Sequence, residues 1–461
     1  MTSSSSPPTT TTESIHPIVF VPALMASELE RQTKGKNGKD PPEKVYITPS
    51  IGLGLSTPNI ALPITWTDAT SNDDDDDQSC SLKQDKDDIL PVEVLNKIEL
   101  KCCCSSIPII DQYSTFTKYF EDEYGEDVFY TFPYDWRRDL NESTDLLLEF
   151  LQEVKQKHNG KAAQVVSHSM GCLIALAAYH ANHELFHSAL FCGAMFGGGF
   201  GFYPTNTEGW PIGLNKAYIG PKVAHTFPSL YAGASPMNVW KDPILRSSDG
   251  RQLWQFVDSK DTEKTIDIDM WNINDWKKYK IGPWCLEEEV SKEMETHVEN
   301  CLTAGFYFQR KMRNLDTNLN SLAYEERDIE NNKSITATND PLPPVATLVG
   351  DQFLHPSYFL WDAEKSKMIE WTPALIKKYN PKHMDITDGT VSHVSASQPP
   401  GLPKGKKVFE YKAKNNGPGK GVHRDLMDEV QLIHTILKDM CHVVNNAGVS
   451  TSADIVRHAR V

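Results

Sequence analysis

The chain has 461 residues, of which 39% are hydrophobic and 23% charged, and its formal net charge is −16. That length calls for one large core with sizeable insertions or for two domains, in the composition range of soluble globular proteins. The charge argues against a nucleic acid as partner and against strong electrostatic attachment to anionic lipid, because both need a basic surface, although a local basic patch is compatible with it.

Residues 1–14 open with M-T-S-S-S-S-P-P-T-T-T-T. This stretch lacks the basic start and apolar centre of a secretory signal and reads as a disordered polar tail. The longest apolar runs, such as C-L-I-A-L-A-A-Y from Cys172, are too short to cross a bilayer. There are nine cysteines, three of them consecutive (Cys102, Cys103, Cys104). Without a signal peptide they read as reduced thiols, and C-C-C lacks the spacing of a tetrahedral zinc site. A cytoplasmic protein is expected, with no cofactor and no metal.

H-P-I-V-F-V-P (16–22) is a short apolar run suited to a buried strand ending in a proline turn. An irregular insert follows over about 31–110. It includes a Gly/Lys loop at Gly35–Lys39 and five consecutive carboxylates at Asp73–Asp77. That run should stay solvated, and it lacks the alternate-residue spacing of a calcium loop.

Apolar residues then recur at helical spacing over 143–158, closed by basic residues and Asn159-Gly160. A β-branched strand (162–167), the turn H-S-M-G and a helix-like run L-I-A-L-A-A-Y-H come next, and then a strand (188–194) leading to Gly197-Gly198-Gly199. Residues 205–335 break this rhythm. They are rich in charge and tryptophan (Trp210, Trp240, Trp254, Trp271, Trp276, Trp284) and read as an inserted cap. The rhythm returns with a strand at 344–351, another at 406–414 and a final amphipathic helix at about 425–441. The expected fold class is α/β, a mostly parallel sheet with helices on both faces. Its core would comprise 15–204 and 336–461.

The segment V-V-S-H-S-M-G-C carries the chemistry. A serine hydroxyl needs a base to take its proton and donors to stabilise the oxyanion. A strand–serine–helix elbow supplies an exposed Oγ and aims the next residue's N–H at the oxyanion. Small residues two before and two after the serine let strand and helix pass closely; here these are Ser167 and Gly171 around Ser169, with serine in place of the usual first glycine. An α/β-hydrolase core with Ser169 as nucleophile is therefore expected.

The acid and base should follow in that order, each beyond a strand. Asp351, after the strand end T-L-V-G, and Asp388, in the turn M-D-I-T-D-G-T-V-S, compete for the acid. For the base, His423 lies past the strand at 406–414 and before a helix, where the catalytic loop belongs. His434 falls inside that helix, and His383 and His393 have no strand leading to them.

With these pieces in place, the chain resembles the lecithin:cholesterol acyltransferase and lysosomal phospholipase family, including its intracellular phospholipase A members. The resemblance rests on H-P-I-V-F-V-P-A-L-M-A-S-E-L-E (16–30), F-P-Y-D-W-R (132–137), S-H-S-M-G (167–171), A-M-F-G-G (194–198), T-D-G-T-V (387–391) and V-H-R-D-L (422–426), in that order. It implies that Asp388 is the acid and that the backbone N–H groups of Leu24 and Met170 form the oxyanion hole. The chain departs from the family at Ala23, Ala26 and Thr387, where glycines are usual. In F-P-Y-D-W-R the plain expectation is a buried Asp135–Arg137 pair and a packed Trp136; a sharper one has Trp136 lining an acyl pocket.

The resemblance implies a serine-dependent phospholipase A or O-acyltransferase acting on glycerophospholipid esters, and peripheral contact with a membrane is compatible with that substrate. A neutral lipase or general carboxylesterase with the same three residues is the first rival. A catalytically silent lipid-binding scaffold is the second.

Overall fold

The computed structural model describes residues 15–32, 41–68, 82–102, 105–198, 209–233, 255–286, 289–315, 342–413 (without 357, 363, 366, 370, 382 and 383) and 423–446. The tail 1–14, Gly35–Lys39, Asp73–Asp77, Cys103 and Cys104 fall outside them.

Six strands make the central sheet: β1 (Ile18–Val21), β2 (Phe129–Thr131), β3 (Ala163–His168), β4 (Phe186–Cys192), β5 (Val345–Val349) and β6 (Val408–Lys412). They lie in the order β6-β5-β4-β3-β1-β2, and every neighbouring pair is parallel. Five helices bear on the site: α1 (Ser114–Tyr124), α2 (Leu140–Lys157), α3 (Met170–Ala181), α4 (Lys292–Met312) and α5 (Val430–Asn446).

A parallel sheet needs cover on both faces, and the side-chain alternation of β1 and β3 divides the core accordingly. Val19, Val21 and Val165 join Leu147 and Leu151 of α2 and Leu173 and Ile174 of α3. Ile18, Phe20 and Val166 join Phe116 and Phe120 of α1 and Ile433, Ile436 and Leu437 of α5. The chain leaves β1 to form β2 on one side and β3 on the other, so the strand order switches at β1. The crevice at the carboxyl ends of the strands there is where ligands bind in open α/β sheets.

Some boundaries differ from the sequence expectation. Helix α2 starts three residues early because Asp139 caps it, its carboxylate accepting the Asn141 N–H at 3.0 Å. The last helix starts later, at Val430, because His423–Asp428 form a 3₁₀ turn of their own. The insert is more regular than its sequence suggests. Ser27–Arg31 pairs antiparallel with Glu43–Tyr46 and with Ile89–Val94, and two hairpins join Trp66–Asp68 to Leu82–Gln84 and Lys97–Cys102 to Ser105–Asp111. Short strands, and a proline (Pro91) on an edge strand, conceal the period-2 pattern.

In the cap region, α4 packs on α2 and α3. A four-stranded sheet runs Asp261–Ile266, Gln255–Asp258, Tyr358–Asp362, Lys367–Ile369. Its last two strands come from beyond β5, in residues that the sequence reading gives to the core. Gln255–Asp258 pairs parallel with Tyr358–Asp362. Trp276 is fully buried, its Nε1–H donated to the Met270 carbonyl at 2.8 Å, whereas Trp210 is exposed. Trp240 and Trp254 lie outside the described residues. Among the described residues no helix is long and apolar enough to cross a membrane, and no three metal-ligating side chains converge.

Candidate active site

Ser169 sits between β3 and α3 with φ 54° and ψ −120°. A non-glycine residue with positive φ stores strain, and such strain persists only where the surroundings impose it. The surroundings here are the sheet interior, the Ser169 N–H donating to the Cys192 carbonyl at 3.0 Å, and an α3 buried from Met170 to His180. Gly171 explains the closeness of strand and helix: a Cβ there would lie 2.3 Å from the Pro22 carbonyl oxygen and 2.6 Å from that of Val21. Ser167 is fully buried, and its hydroxyl donates to the Leu190 carbonyl at 3.3 Å.

His423 Nε2 lies 2.8 Å from Ser169 Oγ, and its Nδ1 lies 2.7 Å from Asp388 Oδ2. An ionised carboxylate only accepts, so Nδ1 carries the hydrogen and Nε2 offers its lone pair to the serine hydroxyl. The His423 N–H also donates to the Asp388 backbone carbonyl at 3.0 Å. Gly193, at φ 55°, makes room for this ring, since a Cβ there would lie 3.0 Å from the imidazole.

Asp388 follows the strand Met384–Thr387 and is almost fully buried. Its Oδ1 accepts the N–H groups of Thr390 at 2.9 Å and Val391 at 2.8 Å. Burial alone would raise its carboxyl pKa. The facing His423 ring and the two amide donors outweigh burial and hold it below its ordinary value. Thr387, one of the departures from the family, contributes a hydroxyl that accepts the Gly389 N–H at 3.0 Å and closes the same turn.

The loop after β1 faces the elbow. Ala26 N–H closes a turn onto the Ala23 carbonyl at 3.3 Å, and the positive φ (59°) falls on Met25. The two alanines therefore avoid the strained position, and their methyl groups enter the core packed by α1 and α5. Among the described residues, neither the Leu24 N–H nor the Met170 N–H meets a protein acceptor. F-P-Y-D-W-R holds this loop from beneath. Tyr134 donates its hydroxyl to the Pro22 carbonyl at 3.0 Å, and Trp136 donates Nε1–H to the Ser27 carbonyl at 3.2 Å.

Arg137 is fully buried. It pairs with Asp135 through Nε and Nη2 (2.9 and 2.6 Å) and with Asp87 of the insert at 2.8 Å. Trp136 is also fully buried, edge-on to Tyr46 and Phe227. In this packing its ring offers no exposed face to an acyl chain.

The other candidates lie apart. Asp351 pairs with Lys412 at 3.1 Å. His393 Nε2 lies 3.3 Å from Glu410, His434 Nδ1 meets the Tyr119 hydroxyl at 2.6 Å, and His383 is outside the described residues. Cys172, Cys192 and Cys301 are buried thiols outside any disulfide. Sequence reasoning passed over Tyr113 and His168, which adjoin the site; the only signal was the histidine inside S-H-S-M-G itself.

The parallel sheet with its covering helices and the strand–serine–helix turn is an α/β-hydrolase core. The lecithin:cholesterol acyltransferase family model matches residues 109–398, more than half of the chain. The chain belongs to that family. The match takes in Trp136, Ser169 and Asp388, while Leu24 and His423 lie on either side of it. No curated protein matches the chain. Among solved structures, a chain of the crystal structure of the Tle4–Tli4 complex is similar at a TM-score of 0.43 and 10% identity, over 93% of this chain and 99% of that one.

Proposed function

We propose that the protein is a serine-dependent lipid acyl hydrolase or acyltransferase that takes its acyl group from a glycerophospholipid. One observation carries the reading: Ser169 Oγ, His423 and Asp388 form a continuous hydrogen-bonded series of 2.8 and 2.7 Å, with the serine held at positive φ on a strand–helix turn. Membership of the lecithin:cholesterol acyltransferase family supports the lipid ester as substrate.

In the first half-reaction His423 Nε2 takes the Ser169 proton as Oγ attacks the ester carbonyl. The oxyanion forms against the N–H groups of Leu24 and Met170, and the imidazolium is stabilised by the ionised Asp388. His423 then returns the proton to the leaving lysolipid oxygen, and the acyl group stays on Ser169. Water or a lipid alcohol, deprotonated by the same imidazole, releases it as fatty acid or as a new ester. The acceptor is decided by how far the site excludes water.

The test is product analysis on vesicles of a defined phosphatidylcholine, with and without an added lipid alcohol. Lysolipid and fatty acid, or lysolipid and a new ester, should form with the wild type and vanish in Ser169→Ala. Equal product from Ser169→Ala would refute the mechanism. Turnover of triacylglycerol or a soluble ester with none of phospholipid would refute the substrate class.

A further inference from the structure

His168 precedes the proposed nucleophile and is buried, with 1% of its surface exposed. Its Nε2 lies 3.0 Å from the backbone carbonyl oxygen of His423. A carbonyl only accepts, so Nε2 carries the hydrogen and Nδ1 keeps its lone pair. The fully buried Tyr113 hydroxyl, 2.7 Å from Nδ1, must therefore donate to it. The hydroxyl oxygen in turn accepts the Ala23 N–H at 3.0 Å. The whole series, Ala23 N–H to Tyr113 to His168 to the His423 carbonyl, thus runs in one direction, and each polarity follows from the carbonyl at its end.

We propose that Tyr113 and His168 form a positioning relay that holds the oxyanion loop and the base loop in register with the nucleophile. The inference rests on the reading of Ser169, His423 and Asp388 given above. Three segments remote in sequence meet here: the loop after β1, the end of β3 and the turn after β6. Fixing the Ala23 amide constrains the next peptide unit, which presents the Leu24 N–H. Fixing the His423 carbonyl completes a grip on the backbone of the base, whose N–H is already given to the Asp388 carbonyl at 3.0 Å. Misplacement of a reacting group by about 1 Å costs about 100-fold in rate, so a link of this kind matters even though neither side chain touches the reacting atoms.

The relay also needs His168 neutral. Burial is the main influence that pushes its pKa down, to about 3. A protonated ring would present Nδ1–H to the hydroxyl hydrogen of Tyr113. It would also set a positive charge beside the imidazolium that forms on His423, with the two ring centres 4.9 Å apart.

The test measures kcat, KM and thermal melting for Tyr113→Phe, His168→Gln, His168→Phe and the double variant Tyr113→Phe/His168→Gln, on p-nitrophenyl butyrate. Tyr113→Phe keeps the ring packed against Phe20 and Phe116, so its fold should survive. Its kcat should drop about 10- to 100-fold with KM within about twofold, since binding is untouched. His168→Gln retains an N–H for the His423 carbonyl and should recover activity that His168→Phe lacks. The double variant should lose less than the product of the two single losses.

Wild-type kcat in Tyr113→Phe, or losses that multiply in the double variant, would overturn the relay. So would losses wholly explained by the unfolded fraction. Wild-type turnover that Ser169→Ala abolishes leaves the triad standing whichever way Tyr113→Phe falls. Turnover that survives Ser169→Ala overturns the triad and the relay with it.

Discussion

The elbow that carries Ser169 and the arm that carries Asp388 and His423 are held by different physics. Ser169 is fixed by regular structure: β3 lies between β1 and β4, α3 is buried along nearly its whole length, and Gly171 allows the two to touch. Asp388 and His423 come from two turns, 35 residues apart. They are fixed chiefly by polar bonds, to each other, to the Thr390 and Val391 amides and to His168. An elbow of the first kind forms when the core closes. An arm of the second kind is dismantled one polar group at a time, with the core intact.

The largest effect tests whether the two halves act as one unit. His423→Ala should cost about 10⁶-fold in kcat, as much as losing the serine itself, because neither group works without the other. Melting should stay near wild type, and a His423→Ala enzyme within tenfold of wild-type kcat would break the comparison. Asp388→Asn should cost about 10⁴-fold, since the amide neither stabilises an imidazolium nor selects the Nδ1–H tautomer. Circular dichroism and melting should again be unchanged.

On the elbow side the outcome should reverse. Gly171→Ala, with its Cβ driven against the Pro22 and Val21 carbonyls, should destabilise the fold by about 3 kcal/mol or more, measured by urea unfolding. A Gly171→Ala protein of normal stability would mean that the elbow is not built by close approach.

The smallest effect per residue is graded with pH. His168 and His180 lie near the two ends of the elbow, and His297 lies in α4; burial pushes their pKa values down to about 3, about 4 and about 4. Below about pH 6.5 the unfolded chain takes up protons that these folded rings refuse. Each therefore removes about 1.4 kcal/mol of stability per pH unit as pH falls toward its folded value. Asp139 works the other way: burial raises it to about 6, so protonation of the folded state below that pH adds stability. Three histidines outweigh one carboxyl, and the urea midpoint should fall from pH 7 to pH 5. His180→Gln should make the fall shallower, because it removes one of the titrating rings while keeping a donor for the Pro400 carbonyl, which His180 Nε2 meets at 3.0 Å. An unchanged midpoint would overturn the assignment.

The same contrast explains what could be read in the sequence. The elbow is local: a β-branched strand, small residues flanking the serine and an apolar helix are neighbours in sequence, and Ser169 was legible from them alone. Asp388 was not legible from its surroundings alone, because T-L-V-G-D and the turn at Asp388 read equally well as an acid loop; the family resemblance favoured Asp388, and in the fold Asp351 turns to Lys412. His423 was legible from its place between strand and helix. Tyr113 was not, since nothing in its neighbourhood in sequence hints that its hydroxyl meets a histidine 55 residues away. The insert's strands were missed because runs of three to seven residues carry too little periodicity to register.

The parallel pairing of Gln255–Asp258 with Tyr358–Asp362 has a practical side. Because β5 lies between these two strands in the chain, the cap sheet is stitched from both flanks of a core strand. Anyone transplanting this cap to another scaffold, or deleting it to expose the serine, has two cuts to make rather than one. Removing 255–312 alone would strip Tyr358–Asp362 of its parallel partner strand and leave an unpaired, apolar strand edge inviting aggregation.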